Sequence, residues 1–315
     1  MLLLYRGESF DPNFYYHAGV DIDHSFLLVD KRKKILLTSR MNESLARARF
    51  RGKVVVYSNP LAEIKRLARR RTVSADFFSL SARMAQKLKN ACRLKDASLE
   101  LLSRRAIKKP EEISCIRRAV RHTKEIFHSL DFGAARTEQD LRKQLLLSTM
   151  EAGLEPAFEP IVATGANTSF PHYRAGKKRL GPLVLVDYGV KYGHYCSDLT
   201  RCFILDGDRK KKEEYETLEG VCRDIVDALP RLKAGKDVAR LSDKLMKKAG
   251  FPEMIHSIGH GVGLEIHESP RLGLKSGDPL AKSALAIEPA FYYPKKYGMR
   301  YEETVWFDGK KARIL

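Results

Sequence analysis

Four carboxylates and one imidazole occupy positions where the surrounding sequence is otherwise typical of buried structure. Asp187 follows the apolar residues 183–186, and Glu288 follows the apolar residues 284–287. A buried carboxylate is costly unless it is paired, hydrogen-bonded or bound to a metal ion. A single acid at the end of a strand is usually a turn residue, so the argument depends on the whole set. Its members are Asp187, Asp198, His260, Glu288 and Glu302.

These residue types form a hard, oxygen-rich group of ligands that suits divalent cations. The four formal negative charges of the carboxylates offset two dications. Two metal ions roughly 3.5–4 Å apart can share a hydroxide, lower its pKa towards neutrality and polarise the carbonyl group of a substrate. The set therefore predicts hydrolytic chemistry at a site for two divalent ions.

The spacing of Asp187 and Asp198 requires a turn between them. The two residues lie 11 positions apart, an odd number, so on one continuous strand they would face opposite sides of a sheet. Gly193 suggests a hairpin, which returns the chain beside itself and brings both carboxylates to one pocket. Glycines flank His260 on both sides and let a backbone or a substrate approach closely.

The elements around these residues predict two domains, with the boundary between residues 109 and 110. The domain at 1–109 is predicted to alternate strands with helices: strands at 25–29, 35–38 and 53–57, and helices at 60–70, 81–92 and 97–105. Pro110, Glu111 and Glu112 begin a new helix, because proline suits the first turn and acids suit the positive end of the helix dipole. This helix begins the second domain, 110–315.

The second domain is expected to combine helices with strands that carry polar residues. A capping pattern at Thr137 and Asp140 begins a helix that ends at Gly153. The other predicted helices lie at 110–130, 210–229 and 238–249, and the predicted strands at 160–164, 183–187, 194–205, 284–288 and 302–307. The pattern predicts a mixed α and β architecture.

Positive charge is concentrated in the first domain. The chain carries 58 Lys and Arg against 39 Asp and Glu, and residues 1–109 hold 24 of these bases but 10 of these acids. The charge lies in runs such as Lys31-Arg32-Lys33-Lys34 and Arg69-Arg70-Arg71. Such a field attracts nucleic acid or an acidic partner. The runs lack interleaved aromatic residues and match no nucleic-acid motif, so we favour a solvated face, with no nucleic-acid partner.

Composition excludes several classes of protein. The hydrophobic fraction of 43% is typical of a globular chain, and no apolar run approaches the roughly 18 residues that span a bilayer. The apolar start at residues 2–4 is too short for a signal peptide. Five cysteines without a Cys-x-x-Cys pair fit neither a disulfide framework nor a zinc knuckle. We therefore expect a cytoplasmic protein that does not enter a membrane.

The segments around the candidate ligands resemble the metallopeptidases with the pita-bread fold. The resemblance favours their proline-specific branch, the Xaa-Pro dipeptidases (prolidases) and Xaa-Pro aminopeptidases, with a prolidase preferred. It covers nearly the whole chain. The segments are Val186-Asp187-Tyr188-Gly189, Ser197-Asp198-Leu199-Thr200-Arg201, Gly259-His260-Gly261-Val262-Gly263-Leu264-Glu265-Ile266-His267-Glu268, Ile287-Glu288-Pro289 and Gly298-Met299-Arg300-Tyr301-Glu302.

The resemblance implies an α+β fold, with a pita-bread catalytic domain at 110–315 after a smaller α/β domain at 1–109. It implies two divalent ions, Mn or Co first and Fe or Zn as alternatives, and a homodimer. The implied metal ligands are Asp187, Asp198, His260, Glu288 and Glu302, with Asp198 and Glu302 bridging the ions.

Roles in catalysis and substrate binding follow from the same resemblance. His172 and His267 would donate to the carbonyl oxygen of the scissile bond as negative charge develops there. Glu288 would pass a proton to the leaving proline nitrogen. His256 and Arg300 are expected to bind substrate, and Arg300 can instead hold an acid of the centre. The substrates would be Xaa-Pro dipeptides or peptides with proline at position two.

Three alternatives remain at this point. A methionine aminopeptidase of the same fold is disfavoured by the separate first domain and by the segment Pro171-His172-Tyr173. Creatinase, a metal-free relative, is disfavoured because all five ligand positions are filled. The third is a non-catalytic binding protein with a basic docking domain. Ala290 and Glu303 depart from the family pattern, and neither change removes a ligand.

Overall fold

A computed structural model of the chain describes residues 1–31, 33–69 and 71–315. Arg32 and Arg70, which belong to the two basic runs, lie outside the described residues. The expectation of a solvated face for these runs therefore stays a prediction. Within the described ranges, no helix combines the length and the apolar character that crossing a membrane requires.

The chain divides into two compact units, Met1–Arg104 and Arg105–Leu315. The boundary expected after residue 109 lies five residues beyond this division, and the assignment of the catalytic role to residues 110–315 stays a prediction. Each unit contains its own hydrophobic core.

In the described part of the first unit, six strands form one mixed sheet. The strands are β1 (Leu2–Arg6), β2 (Ser25–Asp30), β3 (Lys33–Thr38), β4 (Lys53–Val56), β5 (Thr72–Ala75) and β6 (Arg93–Asp96). The helices are α1 (Pro12–Ala18), α2 (Glu43–Arg49), α3 (Pro60–Ala68), α4 (Ala82–Lys89) and α5 (Ser98–Ala106), with a 3-10 turn at Arg40–Asn42. The last two residues of α5, Arg105 and Ala106, belong to the second unit. The strand order is β4-β3-β2-β1-β5-β6, with β1–β2 and β2–β3 antiparallel and the other neighbours parallel.

Both faces of this sheet are covered by helices. Leu37 packs in a core with Ile64 of α3, while its neighbour Leu36 packs in a second core with Phe14 of α1. Successive side chains of a strand point to opposite faces. Leu36 and Leu37 of β3 are therefore buried on opposite faces of the sheet.

The second unit combines helices with antiparallel sheets. Its helices are α6 (Pro110–His128), α7 (Glu138–Glu151), α8 (Arg209–Ala228) and α9 (Gly235–Lys248), with 3-10 turns at Gly165–Ser169 and Leu229–Arg231. Its strands are β7 (Glu155–Pro156), β8 (Ile161–Thr164), β9 (Leu183–Tyr188), β10 (Val190–Tyr192), β11 (Tyr195–Cys196), β12 (Leu199–Ile204), β13 (Gly259–Gly261), β14 (Glu268–Leu272), β15 (Ser283–Ile287), β16 (Ala290–Tyr293), β17 (Tyr297–Arg300), β18 (Glu303–Phe307) and β19 (Ala312–Ile314).

The sheets of the second unit have the orders β11-β10-β7, β12-β9-β8, β14-β13-β15-β18-β19 and β16-β17. Helix α8 packs its apolar face against β15, so that Leu218 and Ile225 share one core with Leu285 and Ile287. This core supports the strands that carry the candidate ligands from one side.

The structure confirms the cap predicted at Thr137 and Asp140 and the hairpin predicted at Gly193. The Thr137 hydroxyl accepts from the backbone N–H of Asp140 at 3.2 Å, and the Asp140 carboxylate accepts from that of Thr137 at 2.9 Å. Gly193 has a left-handed φ of 56° and lies in the hairpin between β10 and β11. The continuous strand predicted at 194–205 is wrong, because the chain leaves the sheet at Asp198 between β11 and β12.

Candidate metal centre

Two neighbouring strands and one cross-sheet bridge place the acids Asp187, Asp198 and Glu302. Thr200 on β12 pairs in register with Asp187 on β9 and forms an isolated bridge with Glu302, which follows β17. The Thr304 hydroxyl donates to the Asp198 carbonyl at 2.8 Å and accepts from its N–H at 3.1 Å. The break in the strand at Asp198 is therefore satisfied by hydrogen bonds, and its carboxylate turns into the same cavity as the other acids.

His260 and Glu288 are placed by the neighbouring sheet. His260 lies in the middle of β13 opposite Ala286 of β15, and Glu288 directly follows β15. Gly259 has a φ of 156°, and a Cβ atom there would lie 1.9 Å from the carbonyl oxygen of Ala286. Only glycine permits this close approach of the two backbones.

The ligand atoms of the centre lie close together. One atom each of Asp198, His260 and Glu302 lie within 4.8 Å of one another, and all three residues are buried. The Nε2 atom of His260 is 3.6 Å from Oδ2 of Asp198 and 3.8 Å from Oε1 of Glu288. Three different backbone segments therefore present acceptor atoms to one small volume.

The imidazole of His260 presents a lone pair to these acids. Its Nδ1 atom lies 3.1 Å from the carbonyl oxygen of Gly261 and must carry the proton, because a carbonyl can only accept. Burial, followed by the charge of His267, lowers the pKa of His260 to about 4. The ring is therefore neutral at neutral pH, and its Nε2 lone pair faces the two carboxylates.

The same crowding raises the pKa values of the acids. Burial is the first cause for all four, and the pKa values of Asp198 and Glu302 rise well above their usual range because further carboxylates lie close by. Burial raises the pKa of Glu288 to about 8 and also raises that of Asp187.

The residues fit divalent cations. The buried Oδ1 atom of Asp187 has no hydrogen-bond partner among the described residues, and the other acceptors crowd together without enough donors. Carboxylate oxygens and a neutral imidazole nitrogen are suitable ligands for Mn, Co, Fe or Zn ions. A cation would relieve both the repulsion and the unsatisfied oxygen.

Arg300 is committed to the centre by three hydrogen bonds. Its Nη2 donates to Oδ2 of Asp187 at 2.6 Å, its Nε to the hydroxyl of Thr200 at 3.0 Å, and its Nη1 to the hydroxyl of Tyr292 at 2.9 Å. The side chain is 4% exposed. These contacts favour the role of holding an acid over the role of receiving a substrate carboxylate, and the substrate-binding role of Arg300 stays a prediction.

Tyr292 connects Arg300 to His256. The Nδ1 atom of His256 donates to the carbonyl of Ser257 at 2.8 Å, and burial lowers the pKa of this ring to about 4. Its Nε2 atom therefore accepts from the Tyr292 hydroxyl at 3.0 Å. Sequence reasoning missed Tyr292, because nothing in the residues around it distinguishes it from a core tyrosine.

One cavity of about 1140 Å³ contains the whole predicted site. All nine residues predicted as ligands, catalytic groups or substrate contacts line it: His172, Asp187, Asp198, His256, His260, His267, Glu288, Arg300 and Glu302. The cations Arg174, Arg271 and Lys275 also line it. They were missed because exposed basic residues are common in this sequence.

The two departures from the family pattern are accommodated. Glu303 is buried and is bound by Arg201 and by the Tyr301 hydroxyl at 2.9 Å, outside the cavity lining. Ala290 begins β16 and pairs in register with Arg300. The turn after Glu288 thus continues directly into a strand.

An antiparallel α+β unit with a buried centre of carboxylates and one imidazole is typical of a metal-dependent hydrolase. Residues 114–308, more than half of the chain, match the family model of metallopeptidase family M24, and the chain belongs to this family.

Known proteins resemble the chain over nearly its whole length. A Xaa-Pro dipeptidase of Pyrococcus furiosus is 30% identical over 316 residues, which cover 96% of this chain and 90% of the relative. The structure of a prolidase from Pyrococcus furiosus has a TM-score of 0.87 at 27% identity and covers 99% of this chain and 95% of that chain. The structure of an X-Pro aminopeptidase from Thermotoga maritima has a TM-score of 0.90 at 22% identity. It covers 100% of this chain and 95% of that chain, and at this identity the likeness shows the fold alone. The expected family and the pita-bread fold are confirmed.

The raised pKa values predict that the metal-free protein loses stability as the pH rises. The Glu288 carboxyl ionises near 4.5 in the unfolded chain and at about 8 in the folded protein, so between these values the folded state keeps a proton that the unfolded state has released. A bound cation replaces this proton. The melting temperature with Mn²⁺ should exceed that in EDTA by a margin that widens from about pH 5 to about pH 8, by about 5 °C or more.

A variant of an exposed acid, Glu216→Gln, serves as the control and should show the same widening as the wild type. The variant Glu288→Gln should show less widening, because it removes one of the titrating groups. A margin that stays constant or shrinks with rising pH would contradict the assignment of a cation to this centre.

Tyr292→Phe tests the chain of hydrogen bonds from Arg300 to His256. The change removes a buried hydroxyl and leaves two partners unsatisfied, so the free energy of unfolding should fall by about 1–3 kcal/mol in urea titrations with EDTA. Tyr293→Phe is the matched control, since the described part of the chain offers its hydroxyl no hydrogen-bond partner, and it should change this free energy by less than about 0.5 kcal/mol. An equal loss of unfolding free energy in the two variants would contradict the proposed hydrogen bonds from Arg300 through Tyr292 to His256.

Proposed function

We propose that this protein is a metal-dependent peptidase that hydrolyses Xaa-Pro bonds, with dipeptides as the preferred substrates. The observation that carries the proposal is the convergence of four carboxylates and a neutral imidazole in one cavity that also holds three further histidines. Relatives named Xaa-Pro dipeptidase, one of them 30% identical over 96% of this chain, support the choice of bond.

The residues that would hold two divalent ions are Asp187, Asp198, His260, Glu288 and Glu302. Bound there, the ions would lower the pKa of a water molecule and polarise the scissile carbonyl group. Carboxylate and imidazole ligands tolerate Mn, Co, Fe and Zn. Of these, Mn and Co are proposed first, with Fe and Zn as alternatives.

The protein's own groups are proposed to handle protons and developing charge. Glu288 lines the same cavity and is proposed to carry the proton released by the attacking water to the leaving proline nitrogen. His172 and His267 are exposed to the cavity and can donate to the substrate carbonyl as it gains negative charge. His256, fixed by Tyr292, is proposed to contact substrate.

Proline sets the substrate class because its nitrogen carries no N–H group. Peptidases that bind substrate as a hydrogen-bonded extended strand lose that contact at an Xaa-Pro bond. Arg300 is already occupied inside the centre, so the cations Arg174, Arg271 and Lys275 are the proposed source of positive charge for the substrate carboxylate.

A cytoplasmic location and a homodimer remain part of the proposal. A binding protein without catalysis is not favoured, because the ligand set is complete and assembled in one cavity. The hypothesis of a methionine aminopeptidase is not favoured either, because the relative named Xaa-Pro dipeptidase matches over 96% of this chain.

The proposal is tested by hydrolysis of Met-Pro, Met-Pro-Ala and Met-Ala after EDTA treatment and again with added Mn²⁺ or Co²⁺. Cleavage of Met-Pro restored by metal, with Met-Ala intact, is expected. Cleavage of Met-Pro-Ala instead would make the protein an aminopeptidase, and preference for Met-Ala would overturn the proline specificity.

His267→Ala should lower kcat by about 100-fold or more, with the metal content unchanged, because it removes a donor to the developing charge.

A further inference from the structure

We propose that Lys108 and Arg105 are positioning residues, which hold the buried Glu268 and thereby fix the backbone that presents His267. We call these three residues the clamp. Its kinetic consequence depends on the proposed function, whereas its effect on the order of the segment 263–268 does not.

The carboxylate of Glu268 is held by two buried cations. The Nζ atom of Lys108 lies 2.8 Å from Oε2 of Glu268, and Nη2 of Arg105 lies 3.2 Å from Oε1. The three side chains are 1–2% exposed. Removing one partner of such a pair leaves an uncompensated buried charge, so these contacts strongly constrain the backbone on both sides.

The clamp is itself anchored in the second unit. The Nζ atom of Lys108 also donates to the carbonyl of Arg105 at 2.5 Å, and its backbone N–H donates to the carbonyl of Lys282 at 2.8 Å. Lys282 directly precedes β15, the strand that pairs with the His260 strand. The cations therefore have a fixed position relative to the metal centre.

Glu268 also closes the segment that precedes it. The backbone N–H of Glu265 donates to Oε1 of Glu268 at 3.2 Å, and the Glu265 carboxylate accepts from Arg105. A Cβ atom on Gly263 would lie 2.4 Å from Oε2 of Glu268. The chain at Gly263 therefore passes directly against the carboxylate, which is possible because this residue is glycine.

The position of His267 depends on this backbone. Glu268 begins β14 and is buried, while His267 is exposed, and both residues line the cavity. No described residue forms a hydrogen bond with the His267 ring, whose centroid is 4.3 Å from that of His260. Because no described residue holds the ring by a hydrogen bond, the backbone that the clamp fixes determines where the ring lies beside His260.

Lys108→Met tests the clamp, since it removes one cation while Arg105 still accompanies Glu268. Hydrogen exchange of the full-length protein should show amides of 263–268 exchanging about tenfold faster or more. With metal content unchanged, kcat for Met-Pro should fall by about tenfold or more, because small displacements of a catalytic group are costly. KM should stay within about threefold of wild type.

Lys310→Met is the matched control, because it removes the same charge from an exposed position. It should change neither exchange nor kcat. Unchanged exchange of 263–268 in Lys108→Met, or faster exchange with unchanged kcat, would overturn the proposal. If wild type does not cleave Met-Pro, the proposed function fails, and the exchange measurement still decides whether the clamp orders the segment.

A double variant separates positioning from general stability. Lys108→Met with Glu268→Gln removes both charges, so its stability should recover relative to Glu268→Gln alone. The clamp predicts that exchange at 263–268 stays fast and kcat stays low in the double variant. Recovery of kcat together with stability would show a purely structural pair and overturn the proposal.

Discussion

Carboxylate oxygens and one imidazole nitrogen, all of which can accept hydrogen bonds, meet in the buried centre of the second unit. The neutral ring of His260 directs its Nε2 lone pair at Asp198 and Glu288, at 3.6 and 3.8 Å. Such an arrangement persists only if protons or cations lie between the groups. The raised pKa values of the acids show the first solution, and the hard, oxygen-rich ligands favour the second. The surrounding strands must hold this repulsive group together.

Antiparallel pairing provides that constraint. The register of β9 and β12 aligns Asp187 with Thr200, and the bridge from Thr200 continues the row to Glu302. Arg300 then joins two of these residues through its guanidinium group. Because each link is either a backbone pair or a buried charge-assisted hydrogen bond, the ligands have little freedom to separate.

Much of the centre could be predicted from the sequence, and the reason is local. Asp187 and Glu288 each end an apolar run, and a turn glycine at 193 explains how the chain returns. The short strand β13 lacks any such signal, because two of its three residues are glycines. It was not predicted as a strand, and its His260 was assigned as a ligand through the resemblance to the family. The contacts of Tyr292 and Lys108 join residues distant in sequence, so no periodicity or spacing announces them.

The number of ions that the centre binds tests the account most directly. Protein stripped with EDTA and dialysed against excess Mn²⁺ can be measured by elemental mass spectrometry, with Lys310→Met and His260→Ala beside the wild type. The account predicts two ions per chain in the wild type and in Lys310→Met, and fewer in His260→Ala. A wild type that binds no ion, or a His260→Ala variant that still binds two, would contradict it.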